Sequence, residues 1–276
     1  GFLEGCRATK QGEVVAAVLK QFRRTSRDMR GMGEELRSRL QTEVVIVPEE
    51  CSLRNAVKRA PSSGVLIVVL PGTYTEALVI DKTVALEGCG PETVLVAKDG
   101  FPAVCFVSGG EHASIRNMKL RQPSKRPVAT CVSVVAGAPS IEKLRLWSHN
   151  GICIRVSGQF SKPLVRENFI EGGVVRSLGS VQFMDGASGV VEDNTISHCA
   201  HGLSVQPDCH PIIRNNHVHA GSDLELMERE RAATSHNPSG QRSTVQLRAC
   251  FTRSKTIDTG PSPVSRTPTS NLGGSG

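Results

Sequence analysis

A short pattern of apolar and polar positions recurs along the chain and predicts its architecture. It reads apolar, two variable polar residues, a fourth position, one variable residue, apolar. The first apolar position is occupied by Ile115, Ile141, Val165, Val191 and Ile213. The last is occupied by Leu120, Leu146, Ile170, Ile196 and Val218. The copies are separated by 26, 24, 26 and 22 residues, with room for short strands and no pattern long enough for a helix. This period predicts the coils of a parallel β-helix.

The fourth position of the repeat is polar in three consecutive copies, where it is Asn168, Asn194 and Asn216. The two earlier copies have Met118 and Leu144 there. Stacked Asn side chains can hydrogen-bond to one another and to the backbone of a turn, and Asn tolerates left-handed backbone. We therefore predict a structural ladder at one corner of the β-helix.

A second strand lies between the copies, at residues 103–107, 130–134, 151–156, 181–183 and 202–205. Alternation along these strands predicts an outward column of Cys105, Cys131 and Cys153, continued by Gln182 and Ser204. The candidate binding face comprises Cys131, Cys153, Arg155, Gln182, Ser204 and His201. The cysteines of this column are interpreted either as small packing residues or as thiols activated by Arg155.

The first part of the predicted β-helix carries a family resemblance. It begins with "SLRNAVKRA", a short helix with Ser52 as its N-cap, and continues "GVLIVVLPGTYTEALVIDKTVALEGCG". This opening resembles the N-terminal cap and first coil of right-handed, pectate-lyase-like β-helix proteins. These include pectin methylesterases and the CASH domains, with PbH1 repeats, of certain F-box proteins. The resemblance covers roughly residues 44 to 221 and implies that the helix plugs the open end of the solenoid.

The predicted fold class is all-β, a right-handed single-stranded parallel β-helix with an N-terminal capping helix. A helical arm is expected in residues 1–43 and the β-helix in residues 44–221. Residues 222–276 are expected to form a short helix followed by a largely disordered tail rich in Ser, Thr, Pro and Gly. Within that tail, residues 245–251 have the composition of an edge strand.

Composition and charge restrict the classes of function. Aromatic residues make up only 4% of the chain, which suits a narrow aliphatic interior and leaves few rings for base stacking. The net charge of +7 owes much to basic residues in the first forty positions, so nucleic-acid binding is not expected. Nine cysteines without a CxxC pair predict reduced thiols in the cytoplasm or nucleus. The chain contains no apolar run of about eighteen residues, so no membrane span is predicted. The first residue, Gly1, suggests a piece of a longer protein.

The sequence shows no regular acidic cluster to support catalysis. Five histidines fall near predicted corners, at positions 149, 198, 201, 217 and 219, without regularly placed Asp or Glu, so we expect neither a metal nor a cofactor. The stretch from Gln182 to Asp185 only loosely matches the Gln-Asp motif that a pectin methylesterase would require. We predict a non-catalytic recognition module for a protein or glycan, similar to the β-helix domains of F-box ubiquitin-ligase receptors. The alternative is a lyase, esterase or glycoside hydrolase acting on an acidic polysaccharide.

Overall fold

The structure is a computed structural model. It describes residues 13–14, 17–18, 30–40, 43–48, 50–98, 100–126, 129–149, 151–172, 179–199, 201–220 and 257–258. Two helices, α1 (Arg30–Leu40) and α2 (Leu53–Arg59), precede most of the strands. No described helix has the length and apolar character needed to cross a membrane. The predicted helix at 223–233 and strand at 245–251 lie outside the described residues.

The strands form three parallel sheets, which we call A, B and C. Sheet A contains β1 (Val44–Val47), β2 (Val65–Val69), β5 (Val84–Gly88), β8 (Ser114–Arg116), β11 (Ser140–Glu142), β14 (Leu164–Arg166) and β17 (Ser188–Glu192). Sheet B contains β3 (Gly72–Thr75), β6 (Thr93–Val96), β9 (Lys119–Gln122), β12 (Arg145–Ser148), β15 (Phe169–Glu171) and β18 (Thr195–Cys199). Sheet C contains β4 (Leu78–Ile80), β7 (Val104–Phe106), β10 (Val132–Val134), β13 (Ile154–Ser157), β16 (Gly179–Met184) and β19 (His201–Val205).

The strand β20 (His210–Ala220) continues around a corner and belongs to both sheet A and sheet B. A short strand, β21 (Ile257–Asp258), pairs antiparallel with β20. Each coil contributes one strand to each sheet, and strands of successive coils pair in parallel. This is the predicted parallel β-helix, and the two apolar positions of the repeat form buried inward columns in sheets A and B.

The N-terminal end of the core is covered by helix α2, as predicted. The Ser52 side chain accepts a hydrogen bond from the backbone N–H of Asn55 at 3.3 Å, which begins the helix. Its buried face, which includes Leu53 and Val57, packs into the solenoid core. Helix α1 packs elsewhere: Leu36 joins a second apolar cluster with the strands β1 and β2.

The Asn ladder lies at the corner between sheets A and B, as predicted. The side-chain oxygen of Asn194 accepts from the backbone and side-chain nitrogens of Asn168, both at 2.9 Å. The side-chain oxygen of Asn216 accepts in the same way from Asn194, at 3.1 and 2.9 Å. The left-handed residue is the one before each ladder position, for example Asp193 with φ 54°. The ladder side chains therefore satisfy backbone groups of the preceding coil, and a neighbouring residue makes the sharp bend.

The outer face of sheet A carries a ladder of alternating charge that the repeat analysis did not single out. Strand register places six charged side chains in one column, in the order Glu87, Arg116, Glu142, Arg166, Glu192 and Arg214. Three ion pairs join consecutive coils: Arg116 with Glu87, Arg166 with Glu142 and Arg214 with Glu192. Unlike charges directly opposite each other stabilise a strand pair, so this column favours the observed register.

We expect Asn194→Ala to lower the free energy of unfolding by about 2 kcal/mol, because buried backbone groups lose a hydrogen-bond partner. Chemical denaturation monitored by circular dichroism measures this change. Asn215→Gly is the matched control, since Asn215 is exposed and already has φ 53°. Equal stability of Asn194→Ala and the natural protein would show that the ladder contributes nothing.

The first ion pair of the charge ladder is the most buried, with side chains of Arg116 and Glu87 only 6% and 2% exposed. Burial raises the pKa of Glu87, although Arg116 counteracts the shift. We expect Arg116→Met to cost about 3 kcal/mol near neutral pH, because Glu87 is left as an uncompensated buried charge. The loss should shrink as the pH falls, since protonation of a carboxyl with a raised pKa favours the folded state.

Two variants serve as controls for this pair. Arg214→Met removes the exposed end of the same ladder and should cost under about 1 kcal/mol. The double variant Glu87→Gln/Arg116→Met removes the buried charge and should recover much of the stability. A single Arg116→Met variant whose stability does not depend on pH would contradict the assigned role of Glu87.

Candidate functional site

The outer face of sheet C carries a mainly polar column whose members come from successive coils. Strand register places these residues in the order Val79, Cys105, Ser133, Arg155, Gln182 and Ser204. Three residues of the predicted binding face, Arg155, Gln182 and Ser204, are thus brought into neighbouring positions. The column contains one guanidinium, one amide, two hydroxyls and no carboxylate.

Access to this column differs along its length. Val79 is 59% exposed, whereas Gln182 is only 6% exposed. Ser133, Arg155 and Ser204 are half-buried. Burial lowers the pKa of the Arg155 guanidinium from its ordinary value. Because Gln182 is nearly covered, a ligand on this face would meet the half-buried residues first.

The prediction that Cys131 and Cys153 point outward is wrong. Both are fully buried and belong to the solenoid core. Each directly precedes a sheet C strand, at a corner where the alternation of strand side chains does not apply. Their thiols turn inward and donate to strand carbonyls of sheet B, Cys131 to Trp147 at 3.0 Å and Cys153 to Glu171 at 3.3 Å.

The thiols of this region are not set up for nucleophilic chemistry. Burial raises the pKa of Cys153 well above its ordinary value, and the neighbouring Cys131 raises it further. Burial also raises the pKa of Cys105, which does lie on the outer face, beside Ser133. A reactive cysteine needs a lowered pKa, so the packing interpretation of Cys131 and Cys153 applies. Arg155 is on the opposite side of the sheet from Cys153 and cannot activate it in this arrangement.

Two carboxylates lie beside this column, on the turns that follow β16 and β19. Asp185 accepts a hydrogen bond from the Ser157 hydroxyl at 2.5 Å, and its backbone N–H donates to Gln206 at 3.0 Å. Asp208 is exposed on the corresponding turn of the next coil. Gly186 follows Asp185 on the first of these turns. A Cβ atom at this position would lie about 4 Å from both Gln159 and Asp208. Asp185 is therefore positioned by its neighbours at the margin of the polar column.

The histidines are spread over several parts of the solenoid. His149 contacts the Trp147 ring edge-on, with ring centroids 6.3 Å apart. His198 lies beside the Ser197 hydroxyl at 3.2 Å, and His217 occupies the outer face of sheet B. His219 is exposed two residues further along β20, and His201 begins β19. In the part of the chain that the structure describes, no three His, Cys, Asp or Glu side chains form a group able to hold a metal ion.

A second surface, which the repeat analysis missed, lies on the outer face of sheet B. We call it the cation–aromatic surface. It consists of Lys119, Arg121, Arg145, Trp147 and Phe169. The Arg121 guanidinium lies 5.0 Å from the centre of the Trp147 ring, and Arg145 lies 5.9 Å from that of Phe169. The sequence did contain a signal for this surface, because its residues lie on either side of the inward positions Leu120, Leu146 and Ile170.

A comparison with known protein families agrees with the architecture. A family model described as "Right handed beta helix region" matches residues 103–250, which is more than half of the chain. The solved structure of a pectin methylesterase from carrot is similar, with 17% sequence identity and a TM-score of 0.49. That match covers 68% of this chain and 66% of the carrot chain. The extent of the family match shows that this protein belongs to the right-handed β-helix family.

Proposed function

We propose that this protein is a non-catalytic recognition module that holds a glycan or protein partner against the outer face of sheet C. The observation that supports the proposal is the registered polar column, in which Ser133, Arg155 and Ser204 offer hydrogen-bonding groups from three of four successive coils. Hydroxyl, amide and guanidinium groups suit the hydroxyls and carbonyls of such partners. The column itself has no pair of carboxylates for acid and base catalysis.

Spacing along the column also suits recognition of an extended ligand. Neighbouring strands of a sheet are about 4.8 Å apart, so each coil offers its side chain at a regular step along the solenoid axis. The rigid backbone ladder holds these side chains in place, which reduces the entropy lost on binding. The narrower form of the proposal, a substrate receptor of a ubiquitin ligase, is supported only by the resemblance of the opening stretch to β-helix domains of F-box proteins.

We expect Arg155→Met to weaken binding to any ligand of this face by about tenfold or more, because a hydrogen bond to a charged group is lost. The measurement is binding to immobilised polygalacturonate, its methyl-esterified form and xylan, followed by titration calorimetry with the polymer that binds. Arg54→Met is the control, since it also removes a guanidinium, but one that is exposed and belongs to helix α2. Equal loss of affinity in both variants would contradict a site on sheet C.

A carbohydrate-active enzyme is the second candidate. It is favoured by Asp185 and Asp208, carboxylates on corresponding turns of adjacent coils next to the column that contains Arg155. Incubation with the same polymers, followed by assays for methanol, reducing ends and unsaturated sugars, distinguishes the two functions. We expect the polymers to be recovered unchanged. Turnover that is lost in Asp185→Asn, but kept in the Asp81→Asn control, would replace the recognition proposal with the enzymatic one.

A further inference from the structure

We propose that the cation–aromatic surface of sheet B is a separate docking site for an extended acidic segment of a partner protein. This site goes beyond the proposed function, because its residues belong to a different sheet from the polar column. Carboxylates of the segment would bind Lys119, Arg121 and Arg145, and an apolar side chain of the segment would pack on Phe169.

The register of sheet B concentrates positive charge in two adjacent coils. Lys119 pairs with Arg145 in one outward column, and Arg121 pairs with Trp147 in the other. The Cα atoms of the three residues therefore lie about 5 to 8 Å from one another. Arg121 and Arg145 are exposed, and Lys119 is half-buried. Cations this close attract an anionic partner more strongly than the same charges spread over the surface.

The two aromatic rings hold the guanidinium groups in position. Each arginine lies over the ring that follows it in its own column, Arg121 over Trp147 and Arg145 over Phe169. Such cation–π contacts contribute about 0.5–1 kcal/mol at exposed sites. They leave the N–H groups at the guanidinium edge free to form paired hydrogen bonds with a carboxylate. Because the side chains are ordered before binding, less entropy is lost when a ligand arrives.

The margins of the surface are apolar, which indicates a partner with mixed side chains. Val94 and Val96 precede Lys119 and Arg121 in the two columns, and both are half-buried. Phe169 follows Arg145 and is 41% exposed. A cationic centre flanked by aromatic and aliphatic residues is typical of protein–protein interfaces, in which Trp, Tyr and Arg contribute most of the affinity.

Other anionic polymers fit this surface less well. The row of cations ends after two coils, because Glu171 follows Trp147 in its column. A uniformly charged polysaccharide would be repelled at that end. Single-stranded nucleic acid binds by stacking its bases on open ring faces, but here a guanidinium occupies one face of each ring. An acidic peptide that also carries apolar residues satisfies both parts of the surface.

The test uses the full chain and a short fluorescein-labelled peptide in which Glu and Phe alternate. We expect the peptide to bind with an affinity that falls as salt is added, because exposed charges are screened. The double variant Arg121→Gln/Arg145→Gln should bind at least about tenfold more weakly. Lys162→Gln removes an exposed cation just before strand β14 of sheet A; it is the single-charge control and should bind the peptide normally. Fluorescence anisotropy provides the affinities, and thermal unfolding confirms that each variant is folded.

Two further measurements separate this proposal from its alternatives. Phe169→Ala should weaken binding of the Glu–Phe peptide more than binding of a peptide with Ser in place of Phe, because the Ser peptide loses only the positioning of Arg145 and no apolar contact. Arg155→Met should leave peptide binding unchanged, so that failure of the sheet C proposal is recognised independently. The proposal is overturned if the peptide does not bind, if the arginine variants do not weaken it, or if heparin or single-stranded oligothymidine binds more tightly and Phe169→Ala has no effect.

Discussion

Parallel register between successive coils is the constraint on which the rest of this structure depends. A residue of one coil lies directly beside its equivalent in the next, so each inward position becomes a column of like side chains. In sheet A the column contains Leu86, Ile115, Ile141, Val165, Val191 and Ile213. A shift of one residue would turn every one of these apolar side chains toward the outer face. Burial of the core therefore fixes the register for all residues of the coil.

The same register makes each outer face a set of columns, and the three faces differ in chemistry. Sheet A has an alternating charge ladder, in which opposite charges pair with each other. Sheet C has a polar column around Arg155, and sheet B has cations held over aromatic rings. Outer positions contribute little to filling the core, so their residue types can vary from coil to coil. This freedom allows one rigid solenoid to present more than one binding surface.

Some local features could be predicted because their residues recur at fixed positions of the repeat. The Asn ladder is one, since its residues recur at a fixed offset from the apolar positions and only a stacked corner explains that spacing. The charge ladder was equally visible, as the residue after each first apolar position is Arg116, Glu142, Arg166, Glu192 or Arg214. The inward turn of Cys131 and Cys153 could not be predicted by alternation, because both residues precede their strands at a corner. Alternation holds only where the backbone is extended.

The sequence by itself determined the solenoid and the Asn corner, because these depend on short-range patterns of residue type repeated at a nearly constant period. The capping helix was predicted instead from the N-cap at Ser52 and from the resemblance of the opening stretch to β-helix proteins. Only the tertiary structure decided how the side chains of neighbouring coils contact one another on each outer face. Arg121 and Trp147 are far apart in the chain, and their contact depends on the number of residues in each intervening turn. Both residues follow the last apolar position of the repeat, so the repeat aligns them, and the tertiary structure decided that the Arg121 guanidinium lies over the Trp147 ring.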